Sequence, residues 1–231
     1  MLSRKVNLLV FQFCITCFFC NQIAGAISVN TKSYDASCGV SVRIDEKNKE
    51  AGKALVLEWD TLEGSTQLTL NISGDGALVR SVAVASGDSK PVVVLRDADP
   101  ITVLSIGQRD LKKRGGWNIF FDPTSRKLSK SGPLTLKLKS VAVRSEGNRC
   151  IVDIDELSGS AFSGNLRFTL YAGCELIHLQ SIVQTQKDAS AILYHSGLTC
   201  DPKGKVVSWI GLDDKLHRTN DIDQPAKPVK V

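Results

Sequence analysis

The sequence predicts an all-β protein built as an antiparallel two-sheet β-sandwich. Three observations support this prediction: apolar residues alternate with polar ones at period two, turn-forming residues interrupt them about every 8 to 15 residues, and no convincing amphipathic helix is present. Alternation of this kind places apolar side chains on one face of a pleated strand. A chain of this length can bury a core in one all-β domain.

The first 26 residues are typical of a secretory signal peptide. Arg4 and Lys5 precede an apolar run that ends at Cys20, and Ala-Gly-Ala at 24–26 supplies the small residues of a cleavage site. The apolar run covers about 15 residues, whereas a membrane-spanning helix needs about 20. We therefore expect cleavage after this leader, a secreted, periplasmic or extracellular location, and no stable membrane span in the mature chain.

The mature chain is only mildly basic. The leader holds two of the 29 Lys and Arg and none of the 24 Asp and Glu, so its removal lowers the net charge from +5 to +3. Export and modest charge argue against a nucleic-acid partner. The chain has no Gly-rich phosphate loop, no dinucleotide fingerprint and no H-E-x-x-H motif, so no cofactor is predicted.

Four cysteines remain after the leader is removed. In an oxidising compartment they indicate two disulfides rather than metal ligands, and no pair has the C-x-x-C spacing of a zinc site. No metal site is predicted. The sequence leaves all three connectivities open among Cys38, Cys150, Cys174 and Cys200.

Strand signals follow one another along the chain. Alternation predicts strands over 55–59, 67–72, 134–139 and 165–171. Two largely apolar runs, 92–95 and 101–106, are expected to form central strands covered on both faces. Residues 97–100 are predicted to form the turn between them, and the carboxylates of Asp97 and Asp99 are expected to be solvated rather than to bind calcium.

Two short segments carry more specific expectations. Alternation over 152–155 places Asp153 and Asp155 on an outer strand face, with Val152 and Ile154 directed inward. Residues 71–73, Asn-Ile-Ser, match a glycosylation sequon in a strand-to-turn setting.

Residues 109–139 concentrate positive charge, with nine Lys or Arg against two Asp and with aromatic rings among them. Positive charge beside exposed rings suits an anionic glycan, through charge pairing and ring stacking. The sequence therefore predicts a ligand-binding surface formed by Lys112, Lys113, Arg114, Trp117 and Arg126. The alternative, that 117–121 is a buried strand between solvated loops, stays open.

Catalytic signals are scarce, and the catalytic residues are unknown from sequence. His178 and His195 lie in or beside strand-like runs and are candidate general acids, for which Glu175 or an Asp would supply the base. The alternative for each histidine is a structural role.

Residues 159–198 contain a strand that runs into a Tyr-Ala-Gly turn at 171–173, then a long strand, then a short strand that ends in Gly-Leu at 197–198. This order resembles the paired strands of β-supersandwich domains, the galactose mutarotase-like class of exported carbohydrate-active proteins. The resemblance covers about 40 of the 231 residues. It implies sugar recognition, places the two candidate histidines on neighbouring strands, and makes Trp209 a candidate stacking ring.

We expect a signal peptide over 1–26, a β-sandwich over 27–220, and at 221–231 either a polar tail or the truncated start of a further segment. The sandwich is expected to be an incomplete supersandwich or a complete small one. The leading functional hypothesis is an exported, non-catalytic carbohydrate-binding or accessory module for acidic glycans. The alternative is a disulfide-stabilised structural or protein-interaction domain of the cell envelope, and the third is a fragment of a sugar-active enzyme. Under these hypotheses the expected partner of the protein is a polysaccharide or an envelope protein. The oligomeric state of the protein stays open.

Overall fold

The computed structural model describes residues 27–46, 52–108, 129–200 and 206–219. These residues form fourteen β-strands and one short 3-10 helix, Ala36–Cys38, so the predicted all-β class is confirmed. The strands are, in chain order, β1 (Ser28–Ser33), β2 (Val40–Asp45), β3 (Ala54–Asp60), β4 (Gly64–Asn71), β5 (Val79–Ser86), β6 (Val92–Gln108), β7 (Ser129–Pro133), β8 (Thr135–Glu146), β9 (Arg149–Gly159), β10 (Phe162–Tyr171), β11 (Ile177–Gln184), β12 (Ser190–Thr199), β13 (Val207–Ile210) and β14 (Leu216–Thr219).

Two sheets pack against each other as a sandwich. The five-stranded sheet has the order β1-β8-β9-β10-β11, and the seven-stranded sheet has the order β12-β6-β5-β4-β3-β2, with β7 also paired to β6. β13 and β14 form a separate hairpin. The pairing is antiparallel, as predicted, except between β1 and β8, which run parallel. The chain leaves β1 through the 3-10 helix for the other sheet, so no tight hairpin fixes the direction of that one pairing.

The core lies between the inward faces of the two sheets. Leu57 and Leu70 of the larger sheet are fully buried, as are Val152 and Ile154 of the smaller one. Successive side chains along a strand point to opposite faces of the sheet. The residues beside each of these four therefore point away from the core and are less apolar or more exposed. The predicted inward direction of Val152 and Ile154 and the outward direction of the aspartates beside them are therefore confirmed.

One sequence prediction about the larger sheet is wrong. Residues 92–108 form one continuous strand, and the predicted turn at 97–100 is absent. Ala98 pairs with Val79 of β5, while Asp99 and Pro100 pair with β12. The ladders on both sides override the local turn signal, and the only trace of it is the positive φ of +47° at Asp97.

A second prediction about β6 also fails. The run 92–95 is not covered on both faces, because Val92 and Val94 are exposed. No third layer packs on this part of the outer face among the residues that the structure describes. The farther end of β6 is better buried, since Leu104 and Ile106 pack in a second apolar cluster with Phe162.

The inward face of β12 is uncovered. Thr102 of β6 contacts Ser181 of β11 across the sheets and Ser196 of β12 beside it, with oxygen–oxygen distances of 2.6 and 3.2 Å. Alternation then gives Ile192 and Tyr194 the inward direction of Ser196. Both are exposed, Tyr194 by 72%, so β12 extends beyond the edge of the five-stranded sheet.

Candidate functional site

Of the six residues predicted to bind a ligand, the structure describes Trp209. Lys112, Lys113, Arg114, Trp117 and Arg126 lie outside the described residues. The candidate ligand-binding site therefore lies on the hairpin that carries Trp209.

The sequence around the turn of this hairpin explains its shape. The Gly211 amide donates to the Lys215 carbonyl at 2.9 Å, and the Asp214 amide donates to the Gly211 carbonyl at 3.1 Å. The Asp213 carboxylate accepts a further bond from the Lys215 amide at 3.3 Å. Aspartate favours such turns because its short side chain can satisfy a backbone amide two residues on.

Gly211 is required at this turn because of what approaches it. A Cβ atom on this residue would lie 2.5 Å from His217 Nε2 and 2.6 Å from Asp213 Oδ1. Both distances are shorter than nonbonded atoms tolerate. Any side chain at position 211 would therefore displace the imidazole and the carboxylate that the glycine lets in.

An aromatic pair lies directly across the hairpin. Trp209 of β13 is paired in register with His217 of β14, and their rings stack with centroids 5.4 Å apart and planes 16° apart. His217 Nε2 lies 2.9 Å from Asp213 Oδ1. This hydrogen bond from His217 lowers the pKa of the Asp213 carboxyl below its ordinary value. The indole thus stacks on the face of the imidazole, and the carboxylate hydrogen-bonds its edge.

The Trp209 side chain remains 47% exposed. One part of the indole rests on the imidazole, and the rest is open to solvent. Such an arrangement is a supported apolar platform with a carboxylate and an imidazole nearby. These are the components of a site that packs one face of a small polar molecule and hydrogen-bonds its edges.

The predicted catalytic set does not assemble. Ile177 and Leu179 pack on the core, so His178 between them points outward from the five-stranded sheet. His195 points outward from the seven-stranded sheet, because its neighbour Ser196 points inward. The expectation that these histidines lie on neighbouring strands is wrong: β11 and β12 belong to different sheets, and the two rings project from opposite faces of the sandwich.

Glu175 does not complete a pair with either histidine. It lies in the connection between β10 and β11. Within the described part of the chain, no hydrogen bond or ion pair joins Glu175 to His178 or His195. A general acid and base must lie within hydrogen-bond reach of the same reacting group, and these three side chains do not show such a geometry.

Two clefts that the sequence did not predict lie between and beside the sheets. One, of about 220 Å³, contains the Thr102, Ser181 and Ser196 hydroxyls among apolar side chains. The other, of about 440 Å³, is lined mainly by polar residue types, namely Ser163, Gln184, Thr185, Gln186 and Lys187, with Ala161. Neither has an aromatic side chain in its lining, and the first has no titratable one.

A charged network on the outer face of the five-stranded sheet was also not predicted. Arg167 donates two bonds to Asp153, Nε to Oδ1 at 2.6 Å and Nη2 to Oδ2 at 3.0 Å. Asn165 donates to the same carboxylate at 2.7 Å, and Arg144 forms an ion pair with it. The hydrogen bond to Asp153 raises the pKa of the Arg167 guanidinium. The network uses both oxygens of Asp153 and joins side chains of three neighbouring strands, which suits a strand-pairing role.

The glycosylation sequon falls on a side chain that the fold uses. Asn71 is 6% exposed. Its Oδ1 accepts from the Ser73 amide at 3.1 Å and from the Ser73 hydroxyl at 2.5 Å, and its Nδ2 donates to the Asp75 carbonyl. The nitrogen that would carry a glycan is therefore committed to the turn between β4 and β5.

The four cysteines predicted to form disulfides are free thiols in the structure. Cys38 and Cys150 are buried, whereas Cys174 and Cys200 are partly exposed. Among the residues described, no cluster of His, Cys, Asp and Glu is arranged to hold a metal ion. The same residues include no helix long and apolar enough to cross a membrane.

Comparison of the chain with protein-family models, with curated proteins and with solved structures found no match. The function is therefore inferred from the geometry of the hairpin and the sheets.

Proposed function

We propose that this protein is an exported, non-catalytic carbohydrate-binding module and that the hairpin β13–β14 is its sugar-contacting element. The observation that carries the proposal is the half-exposed Trp209 ring, held in place by His217 and, through it, by Asp213. The resemblance of residues 159–198 to β-supersandwich domains supports the same class of ligand.

The physical basis is the shape of a sugar ring. One face of a pyranose presents C–H groups and can pack flat on an aromatic ring, while its edges carry hydroxyls that need hydrogen-bond partners. An indole supplies a large contact area with few rotatable bonds. A ring already fixed by His217 loses little further freedom on binding, which leaves more of the contact energy as affinity. Asp213, bonded to the edge of the imidazole at 2.9 Å, supplies a carboxylate acceptor beside the platform.

The basic segment 109–139 extends the proposal to acidic glycans. Its nine positive side chains would add a salt-dependent attraction to a uronate or sulfate group. Binding to an acidic polysaccharide should therefore weaken at high ionic strength, whereas binding that depends on Trp209 alone should not.

The test is a glycan-binding screen of the mature chain at low and high ionic strength, repeated with Trp209→Ala. We expect loss of the ring platform to weaken binding about fivefold or more, by analogy with the roughly 1–3 kcal/mol that an aromatic side chain contributes when a nucleic-acid base stacks on it. Tyr194→Ala is the matched control, because it also removes an exposed aromatic ring but from β12. Equal binding by the wild-type protein and Trp209→Ala, with both folded by circular dichroism, would contradict the proposal.

Gly211→Ala provides a second, independent variant. It leaves the Trp209 side chain unchanged but pushes the imidazole away from its place beneath the indole. If the supported ring is the binding platform, this variant should lose affinity as well. If binding requires only an exposed tryptophan, it should bind as the wild type does.

A second candidate function is a structural or protein-interaction domain of the cell envelope. The uncovered inward face of β12, with Ile192, Tyr194 and Leu198, favours it, because an exposed apolar edge strand is a site for pairing with another chain. This function predicts a blank glycan screen, and binding of a purified envelope protein that Tyr194→Ser abolishes and Trp209→Ala preserves. The third candidate, a sugar-active enzyme fragment, would require turnover that His178→Ala or His195→Ala reduces.

A further inference from the structure

Cys38 and Cys150 come together in the core between the two sheets. Cys38 ends the 3-10 helix that leads into β2 of the larger sheet, and Cys150 lies near the start of β9 in the smaller one. They are 1% and 0% exposed and belong to the same buried cluster. The Cys38 thiol is near enough to Cys150 to act on the pKa of its thiol.

Hydrogen bonds that do not involve the thiols hold the two segments together. The Asp35 amide donates to the Ser145 hydroxyl at 2.9 Å, and that hydroxyl donates to the Asp35 carbonyl at 2.8 Å. Ser145 of β8 is in turn paired with Cys150 of β9. The two bonds attach the start of the 3-10 helix to the five-stranded sheet beside Cys150. The Cys38 amide donates to the same Asp35 carbonyl at 3.2 Å, so Cys38 is held close to that point.

The turn that follows Cys38 is equally constrained. Gly39 has a φ of +79°, and a Cβ atom there would lie 2.6 Å from the Cβ of Ala172. The Gly39 amide closes the helix on the Ala36 carbonyl at 3.0 Å. The backbone on the Cys38 side is therefore fixed by the fold.

We propose that Cys38 and Cys150 form a disulfide in the exported protein and that this bond covalently joins the two sheets. The oxidant is a disulfide, either of a thiol–disulfide oxidoreductase or of oxidised glutathione. A thiolate of one cysteine attacks it and forms a mixed disulfide, and the second thiolate displaces the carrier sulfur. The two cysteines lose two protons and two electrons, and the oxidant is released as two thiols.

The environment of the pair sets when this chemistry takes place. Burial, together with the adjacent Cys38 thiol, raises the pKa of Cys150 to about 12. Thiols react as thiolates, so a folded, reduced Cys150 is almost inert at neutral pH. The bond therefore forms while the chain is still folding, and once formed it is shielded from reductants.

The other two cysteines behave differently. Cys174 and Cys200 are partly exposed, and neither belongs to the hydrogen bonds that hold the 3-10 helix beside Cys150. The Cys174 sulfur accepts instead from the Leu176 amide at 3.4 Å. Of the three connectivities that the sequence permits, the geometry therefore favours the one that contains Cys38–Cys150.

Peptide mapping tests the pairing directly. The protein is purified from an oxidising compartment, denatured with an alkylating agent but no reductant, and digested with trypsin. The four cysteines fall in four separate tryptic peptides, 33–43, 150–167, 168–187 and 188–203. We expect 33–43 to be linked to 150–167 and the linked pair to separate on reduction with a gain of about 2 Da. Alkylated, unlinked peptides, or a link from 33–43 to either of the other two, would overturn the proposal.

A second measurement tests the buried position of the bond. The oxidised protein is treated with a thiol reductant under native conditions and in denaturant, and the rate of reduction of Cys38–Cys150 is followed by the same map. We expect reduction to be more than about tenfold slower in the folded protein. Equal rates would show that the bond lies where reductant reaches it. Cys174→Ser is the matched control, and the linked peptide should persist in it.

Discussion

At the residue scale, the Asp213 and His217 pair links the local chemistry of the hairpin to its fold. The carboxylate accepts from the imidazole and from a backbone amide, and both interactions favour its charged form. The pKa of Asp213 in the folded hairpin is consequently lower than in the unfolded chain. Asp213 thus stabilises the turn at pH values above its ordinary pKa, and the contribution disappears as the pH falls through the lowered value.

The downward direction of this pKa shift gives a prediction for acidic pH. Titration of the Asp213 side-chain carboxyl carbon by NMR should yield a pKa below the ordinary 3.8, and His217→Ala should move the pKa back toward it. His217→Gln, which keeps a donor, should retain part of the shift. An unchanged titration in His217→Ala would mean that the backbone amide alone holds the carboxylate.

At the scale of an element, glycines decide where two strands can pair closely. Gly164 of β10 faces β11, and a Cβ atom there would lie 1.9 Å from the backbone carbonyl oxygen of Ile182. The obstruction is backbone, so no side-chain rotation relieves it. Gly197 of β12 differs, because a methyl group added there would meet no atom within 4 Å and the backbone is not in the left-handed region.

The two glycines therefore predict opposite outcomes. Gly164→Ala should lower the free energy of unfolding by about 1–3 kcal/mol or more, because the edge strand β11 must move to accept the methyl group. Gly197→Ala should leave it unchanged or raise it by up to about 1 kcal/mol, because it restricts only the unfolded chain. Urea unfolding followed by tryptophan fluorescence measures both, and equal destabilisation would contradict the β10–β11 register.

At the scale of the whole molecule, the Cys38–Cys150 bond would close a loop of more than 100 residues. A cross-link of that span restricts the unfolded chain by an amount worth roughly 2–5 kcal/mol. We expect Cys38→Ala with Cys150→Ala to reduce the free energy of unfolding by an amount in this range, whereas Cys174→Ala should have a much smaller effect. Equal stability of the double variant and the oxidised wild-type protein, measured by denaturant unfolding, would count against the cross-link.

The fold class and much of the strand pattern follow from the order of residues alone. Period-two alternation placed the strands over 55–59 and 165–171 and the inward direction of Val152 and Ile154, because alternation reports directly on the two faces of a strand. It failed at 97–100, where the local turn signal of two aspartates and a proline was overridden by strand pairing on both sides.

Contacts between distant side chains, in contrast, depend on how the strands and sheets pack. The sequence singled out Trp209, but nothing in its order indicated the stack on His217, because that contact depends on hairpin register. It offered His178 and His195 as a pair, and the sheets direct them to opposite faces. It left three cysteine pairings open, and packing brought Cys38 to Cys150 across 112 positions of chain. Composition and periodicity are local properties, whereas contacts between distant residues arise from how the sheets pack, and only the folded chain specifies that.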